Sequence, residues 1–393
     1  MTFTDLPLRH FRNGGSGIMP NPFRLEVLGE GDPFCDRQEE VQQLLRCARA
    51  TQNMVLASPR RYGKTSLCRK VQKILHDEGY LCFAFDFSGV DGVSEIARRL
   101  ARDMFKTLHA RESLLTRGKR WLNALSAFRP VLTFDHSGEA AISVTRANET
   151  QDPRTLLEQT LEDLARIIES REWPCHVVMD EFQDLTKLAE SQAVEGIVRK
   201  TIQGLPASFV FSGSRRSLLL AMFSDQKRFL TLSAVKMFLP PLPISDTSQC
   251  IASFFAQEGR HIDPQVSAAL VAAARQYPFY VQRLASEVYE RSGRDVTMED
   301  VELAKMSVIQ SESGLYETMI APLTTRQLKL LKTLSANPSA QLTSAEFVVK
   351  AELPSSSISD IREILLREDL IEKTEEGVWR VVDPFFSEWL NKL

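Results

Sequence analysis

Long hydrophobic runs are missing from this sequence, and the N-terminus has no apolar core of the kind found in secretion signals. No apolar stretch approaches the roughly 20 residues that a membrane helix requires. The first residues, MTFTDLPLRHFRNGG, are largely polar. The sequence therefore predicts no contact with membrane, and we expect a cytoplasmic protein.

The cysteines also lack any C-x-x-C pairing. Most of them lie in apolar strand or helix patterns, which favours buried free thiols over metal ligands or disulfides. We therefore expect a reducing environment. The six residues are Cys35, Cys47, Cys68, Cys82, Cys175 and Cys250.

A strong net charge is absent as well. The chain has 393 residues, of which 25% are charged, and a formal net charge of −3. No overall field would attract nucleic acid or an anionic membrane, so any such contact must come from a local patch. The hydrophobic share of 43% is that of a globular chain with room for two or three cores.

The stretch 54–67, MVLASPRRYGKTSL, has the layout of a phosphate-binding loop. An apolar strand over 54–57 breaks into a turn, and a helix then opens with Gly63-Lys64-Thr65-Ser66, as in G-x-x-x-x-G-K-[ST]. Ser58 occupies the position of the first glycine in this pattern. Such a turn directs backbone N–H groups and a helix dipole into one hollow, where polyphosphate fits. The predicted contact residues are Ser58, Pro59, Arg60, Arg61, Tyr62, Gly63, Lys64, Thr65 and Ser66.

Two side chains of this loop have predicted roles. Lys64 would reach the β- and γ-phosphates, and the Thr65 hydroxyl would hold Mg²⁺. The alternative is a chance Gly-Lys-Thr at the start of a helix.

A buried-strand pattern over 176–179 ends in Asp180-Glu181-Phe182-Gln183-Asp184 and makes the chance alternative much weaker. In a nucleotide hydrolase, Asp180 would assist the Mg²⁺ and Glu181 would polarise the attacking water. Taken alone, an acidic pair after a strand is more often a solvated turn.

The next strand-like run, 208–213, ends in Ser212-Gly213-Ser214-Arg215-Arg216. Ser212 is the candidate polar residue facing the γ-phosphate. Arg215 and Arg216 are candidates for stabilising charge there, in the same subunit or in a neighbouring one. Surface arginines at a helix start are an equally good interpretation.

Upstream of the loop, a short segment is well placed to cover a nucleotide base. Pro22 and Phe23 would form apolar walls, and Arg37 would supply a polar contact. A packed N-terminal arm is the alternative.

Strand-like runs that alternate with helical patterns predict an α/β fold, with a parallel sheet and helices on both faces. Residues 1–20 are expected to be a flexible tail. Residues 21–240 form the predicted core, with a β-hairpin over 130–145. Consecutive prolines from 240 mark a boundary to an all-helical segment over 241–320. Three helices and a hairpin over 321–393 predict a winged helix.

These motifs together give the chain its resemblance to the archaeal-type ATPases, in the STAND branch of the AAA+-like P-loop ATPases. The resemblance rests on NPF at 21–23, F-x-x-R at 34–37, SPRRYGKTSL at 58–67, DEFQ at 180–183, SGS at 212–214, YPFYVQRL at 277–284 and DPFFSEWL at 383–390. It implies ATP and Mg²⁺ bound between the sheet and a helical lid, with Pro278 near the nucleotide. The winged helix is then a docking or regulatory module.

Three functional hypotheses remain open. In the first, a slow ATPase acts as a switch whose nucleotide state controls a partner-binding winged helix. In the second, the ATPase binds DNA through the winged helix or through the basic region 98–129. In the third, the protein binds nucleotide but hardly turns it over.

Charge favours a protein partner over DNA. In the predicted recognition helix, 355–369, acidic residues outnumber basic ones, whereas a helix that enters the major groove needs positive charge. A charge run such as 98–129 is usually a solvated helix face. The oligomeric state stays open, and a homo-oligomer is compatible with the sequence.

Overall fold

A five-stranded parallel sheet is the centre of the computed structural model, which describes residues 21–25, 35–111, 125–134, 140–147, 150–170, 172–224, 234–374 and 376–393. Its strands run in the order β2-β5-β6-β1-β7. In chain order the first part contains α1 (Gln38–Arg49), β1 (Met54–Ala57), α2 (Lys64–Asp77), β2 (Leu81–Asp86), α3 (Val93–Arg111), β3 (Phe128–Phe134), β4 (Ala140–Arg146), α4 (Pro153–Glu169), β5 (Cys175–Asp180), α5 (Ser191–Ile202), β6 (Ala207–Gly213), α6 (Arg216–Ser224) and β7 (Val235–Phe238).

Strand β1 is buried on both faces, as expected for a central parallel strand. Met54 and Leu56 face one hydrophobic core, which includes α1 and α2, and Val55 and Ala57 face a second core with α3, α4 and α5. The predicted α/β sheet with helices on both faces is confirmed. Strand β6 lies between β1 and β5, so one strand separates the loop from the acidic pair.

Strands β3 and β4 pair as an antiparallel hairpin outside this sheet, at the position predicted for an insertion. The predicted turn residues, Asp135 to Gly138, lie outside the described part, as do residues 1–20 and Phe34.

The next segment contains α7 (Ile244–Gln257), β8 (His261–Ile262), α8 (Pro264–Ala273), α9 (Pro278–Arg291), β9 (Asp295–Val296), α10 (Met298–Ser311) and α11 (Ser313–Ile320). We refer to residues 241–320 as the lid. The prediction of an all-helical lid is wrong in one detail, because β8 and β9 form a short parallel pair. Two-residue strands leave no periodic signal in a sequence.

The last segment has helices α12 (Thr325–Ala336), α13 (Ala345–Ala351) and α14 (Ser355–Arg367), the antiparallel strands β10 (Ile371–Lys373) and β11 (Trp379–Val381), and α15 (Pro384–Leu390). Three helices followed by this hairpin form the predicted winged helix. Asp383 caps α15 by accepting hydrogen bonds from the backbone N–H groups of Phe385 and Phe386. Among the described residues, no helix combines the length and the apolar character needed to cross a membrane.

Candidate nucleotide site

The predicted phosphate loop joins β1 to the first residue of α2. Gly63 precedes the helix with a φ of 80°, a backbone conformation that favours glycine. A Cβ atom added to Gly63 would lie 3.9 Å from the ring of Pro278. The first residue of α9 therefore covers the loop, and the position of Pro278 near a bound nucleotide stays a prediction.

Lys64 is almost completely buried inside this loop. Its Nζ donates hydrogen bonds to the backbone carbonyls of Ser58, at 2.9 Å, and Pro59, at 3.1 Å. Burial lowers the pKa of Lys64, and the nearby carboxylates of Glu181 and Asp180 oppose this shift. The ammonium group is thus held in the hollow of the loop by main-chain oxygens.

Thr65 and Asp180 meet directly across the edge of the sheet. The Thr65 hydroxyl donates a hydrogen bond of 2.7 Å to Oδ2 of Asp180. Mg²⁺ in phosphate-transfer sites takes one or two protein oxygens and completes its shell with phosphate and water. A hydroxyl beside one carboxylate fits that requirement, and among the described residues no larger cluster of metal-binding side chains occurs.

Glu181 follows Asp180 in a left-handed conformation, with a φ of 49°. Its Oε2 accepts hydrogen bonds from Gln183 Nε2, at 2.5 Å, and from Ser214 Oγ, at 2.8 Å. Strained conformations of this kind are concentrated at functional sites. The carboxylate is therefore held in a defined position by two side chains that sequence reasoning did not assign to the site.

The structure places Ser214, rather than Ser212, beside Glu181. Ser212 lies within β6 opposite Leu56 of β1 and is fully buried, and its hydroxyl has no hydrogen-bond partner among the described residues. The SGS motif contained both serines, but the end of β6 decides which one reaches the acidic pair.

Of the two candidate arginines after β6, the structure describes the side chain of Arg215, and its partner is not the predicted one. Arg215 Nη2 donates a hydrogen bond of 2.9 Å to the backbone carbonyl of Arg367, at the end of α14. In this structure it contacts the winged helix instead of standing free for a γ-phosphate. The side chain of Arg216 lies outside the described part.

The loop arginines also contact the winged helix. Arg60 forms an ion pair of 3.2 Å with Asp369. Arg61 forms one of 2.9 Å with Asp383, hydrogen-bonds the Tyr280 hydroxyl, and stacks over the Tyr280 ring. Their predicted role was contact with the nucleotide, and sequence reasoning missed these partners because they lie far downstream, 219 residues from Arg61 for Tyr280 and 322 for Asp383.

Tyr62 is buried against the ring of Tyr277, with centroids 4.7 Å apart. Burial raises the pKa of Tyr62 to about 12, so the phenol stays neutral. The side chain joins the loop to the start of α9.

A cavity of about 450 Å³, which we call the loop cavity, lies beside Lys64 and Glu181. Its other walls come from the N-terminal segment and the lid, and include Phe23, Arg37 and Pro278. Pro22 is not among its lining residues. Phe23 also packs on Phe254, so it is part of the lid core. Phe23 therefore belongs to a packed N-terminal arm and also lines the cavity, and its contact with a base stays a prediction.

Arg37 is almost fully buried and already has partners. It forms an ion pair of 2.9 Å with Glu40 and donates a hydrogen bond of 2.5 Å to the Pro240 carbonyl. Its role at the cavity is to hold the N-terminal segment against the start of the lid.

The expectation of free thiols is wrong for two cysteines. Cys35, at the cavity wall, forms a disulfide with Cys250 of α7, and their Cα atoms are 5.8 Å apart. Their separation of 215 residues gave no spacing signal. Cys47, Cys68, Cys82 and Cys175 are free.

Residues 314–392 match a family described as a probable winged helix domain. No curated protein matches the chain. Among solved structures, the Walker-type ATPase PABY2304 of Pyrococcus abyssi has a TM-score of 0.65 at 17% identity, covering 94% of this chain and 99% of that one.

Two proteins of Aeropyrum pernix are also similar in fold. The ORC2 protein, in ADPNP and ADP complexes, has a TM-score of 0.53 at 13% identity, covering 92% of this chain and 96% of that one. The ORC1 protein, in complex with DNA, has a TM-score of 0.50 at 14% identity, covering 93% and 95%. The chain therefore has the fold of an archaeal Walker-type P-loop ATPase, with a winged helix after its lid.

Proposed function

We propose that this protein is a Mg²⁺-dependent, slow ATPase of the archaeal-type STAND group, and that its nucleotide state controls how the winged helix docks. One observation supports the proposal above all others: adjacent loop residues, Arg60 and Arg61, form ion pairs with Asp369 and Asp383 of the winged helix. The segment that would receive phosphate is thus also the segment that holds the winged helix.

The chemistry follows from the site. Bound ATP would bring several negative charges into the loop, where Lys64 would offset them and Thr65 and Asp180 would hold Mg²⁺. Glu181, oriented by Ser214 and Gln183, accepts a proton from the attacking water.

The negative charges of ATP also compete with Asp369 and Asp383 for the loop arginines, Arg60 and Arg61. Phosphate oxygens attract guanidinium groups as carboxylates do, so ATP weakens the hold of Arg60 and Arg61 on Asp369 and Asp383. The winged helix is then released to contact a protein partner, and it returns after hydrolysis. Burial raises the pKa of Asp369, and the charge of Glu181 adds to this shift while Arg60 opposes it. Asp369 therefore responds electrostatically to charges at the catalytic site.

Two substitutions test the catalytic part. Lys64→Ala should abolish ATP binding, with the exposed Lys73→Ala on the same helix as the matched control. Glu181→Gln should bind ATP and lose turnover, with the exposed Glu162→Gln as its control. Calorimetry measures the affinity for ATP, and the rate of phosphate release measures turnover. Unchanged ATP affinity in the Lys64 variant would refute the assignment, and normal turnover in the Glu181 variant would remove Glu181 from the mechanism.

Hydrogen exchange tests the docking part. ATP with Mg²⁺, added to the Glu181→Gln variant, should raise exchange in β10 and β11 compared with the nucleotide-free protein. Equal exchange in both states would mean that nucleotide binding and docking are independent.

DNA binding is the second candidate, and the fold shared with the ORC1 protein is its support. Several described basic residues already have partners: Arg362 stacks on Trp379, Arg99 pairs with Glu95 and Arg102 pairs with Asp103. Arg117, Lys119 and Arg120 lie outside the described part.

Fluorescence anisotropy with duplex DNA at several salt concentrations distinguishes the candidates, because binding through phosphates weakens steeply with salt. Charge reversal at those three residues should then lower any DNA affinity.

A scaffold with negligible turnover is the third candidate. A single-turnover measurement separates it from the switch, since a scaffold would hold ATP intact on a timescale on which the switch converts it to ADP.

A further inference from the structure

Two polar side chains on the lid side of the loop cavity have no hydrogen-bond partner among the described residues. They are the hydroxyl of Thr247, in α7, and the side-chain oxygen of Gln282, in α9. Both residues line the cavity, and Thr247 is only 1% exposed. Buried polar atoms nearly always have a hydrogen-bond partner. Two such atoms without a partner on the same cavity wall therefore point to a ligand.

The rest of this wall is apolar. Leu242, Ile251 and Val281 line the cavity together with these two polar residues. Ligand pockets commonly combine apolar walls with a few polar groups that determine orientation. A nucleobase has the matching chemistry, because it offers flat apolar faces and an edge of donors and acceptors.

The position of Thr247 and Gln282 in the loop cavity also fits a nucleobase. Lys64, Thr65 and Glu181 lie at the phosphate side, and Phe23, Thr247 and Gln282 come from the N-terminal segment and the lid. A nucleotide whose phosphates occupy the loop would extend its base toward those elements.

We propose that Gln282 and Thr247 recognise the edge of the base and select adenine. The proposal rests on the proposed nucleotide-binding function and adds its base specificity. A glutamine amide presents one donor and one acceptor side by side, and it pairs with the amino group and the adjacent ring nitrogen of adenine. The unpaired atom of this amide is its acceptor, Oε1, which suits the amino group of adenine, and the Thr247 hydroxyl supplies a further contact. Guanine reverses the donor and acceptor at position 6 and carries an extra amino group.

The test compares three ligands: ATP, GTP and purine riboside triphosphate, which has no exocyclic group on the base. Calorimetry in the presence of Mg²⁺ gives each affinity. The wild-type protein should bind ATP at least ~10-fold more tightly than the other two, in line with the discrimination of one bidentate pair.

Gln282→Leu should weaken ATP binding more than binding of the purine analogue, which offers the glutamine only its ring nitrogen, so the two affinities should become similar. Thr247→Val should lower ATP affinity by a smaller factor. Gln282→Glu keeps the shape of the side chain but loses the amide donor, so it should lose the preference for ATP over GTP, because a carboxylate accepts from the ring N–H of guanine. The exposed Gln265→Leu, in α8, is the matched control and should behave as wild type.

Retained analogue binding shows that each variant is folded. If Gln282→Leu keeps the wild-type ratio of ATP to analogue affinity, or if the wild-type protein binds all three equally, the base assignment is wrong while the nucleotide site stands. If the wild-type protein binds no triphosphate, the proposed function fails and the base assignment fails with it.

Discussion

The winged helix is attached to the lid and to the phosphate loop by two different kinds of contact. At the lid, Tyr316 of α11 packs on Phe386 and Trp389 of α15, with ring centroids 5.1 Å and 5.6 Å apart. At the loop, the contacts are the ion pairs of Arg60 with Asp369 and of Arg61 with Asp383. The lid junction thus contains a buried apolar cluster, beside polar contacts such as the ion pair of Lys305 with Glu388, whereas the loop junction is ionic and partly exposed.

The difference indicates which junction can open. Apolar packing follows buried area and does not respond to a charge that arrives nearby. An exposed ion pair contributes little to stability and is weakened by competing ions. The lid and the winged helix should therefore move as one body, while the loop contact responds to nucleotide.

The largest expected effect comes from the apolar junction. Phe386→Ala should lower the free energy of unfolding by about 3–5 kcal/mol, because it leaves a cavity in a buried aromatic cluster. Chemical denaturation measures this change. Val349→Ala, at a residue that is 73% exposed, is the control and should have almost no effect. A loss below about 1 kcal/mol at Phe386 would mean that the apolar junction does not join the lid to the winged helix.

His176 lies in the central sheet, and its effect on stability must be known before the pH dependence of the two junctions can be interpreted. Burial lowers the pKa of His176 from 6.5 to about 4. The unfolded chain takes up a proton below pH 6.5 and the folded protein does so only near pH 4, so stability falls as the pH falls between these values. The loss should be about 3 kcal/mol.

The His176→Gln variant should have a flatter stability profile between pH 6.5 and 4, with the exposed His109→Gln unchanged from wild type. Denaturation midpoints at several pH values give the slopes. An unchanged slope in His176→Gln would assign the acid sensitivity to other groups, including the carboxylates of the ionic junction.

The disulfide is a third attachment, and it joins the N-terminal segment to the lid without involving the winged helix. Cys250→Ser should cost about 2 kcal/mol, because it restores freedom to the unfolded chain. It should also speed nucleotide release, since Cys35 lines the loop cavity. Thermal unfolding and a chase of fluorescent nucleotide measure the two effects.

A Cys35→Ser, Cys250→Ser double variant should match the single variant, and reducing agent should leave it unchanged. Additive effects of the two substitutions would show that the cysteines act separately.

The smallest change in stability is expected at the ionic junction. Asp369→Asn should cost less than about 1 kcal/mol, since the side chain of Arg60 is 55% exposed. It should nevertheless raise hydrogen exchange in β10 and β11 of the nucleotide-free protein. Asp360→Asn, on the exposed face of α14, is the control. If both variants exchange like wild type, the ion pair does not hold the winged helix in place.

Local patterns predicted much of the site. The strand that leads into Gly63-Lys64-Thr65 and the buried strand that ends in Asp180-Glu181 are continuous stretches with strong periodicity. Their meeting through Thr65 and Asp180 follows from the way parallel strands end at one edge of a sheet.

Other features had no local signal. Ser212 and Ser214 are two residues apart in one motif, and only the length and pairing of β6 place Ser214 against Glu181. The sequence also could not predict that Arg215 would face α14 instead of the loop.

The sequence by itself determined the alternation of strands and helices around the central sheet, the phosphate loop, the acidic pair and the winged helix, because these depend on the spacing of neighbouring residues and on backbone hydrogen bonds. Only the tertiary structure decided that Cys35 bonds Cys250 and that Arg60 and Arg61 meet Asp369 and Asp383. Such contacts depend on how whole segments pack in space, and that packing is set by the summed burial of residues far apart in the chain.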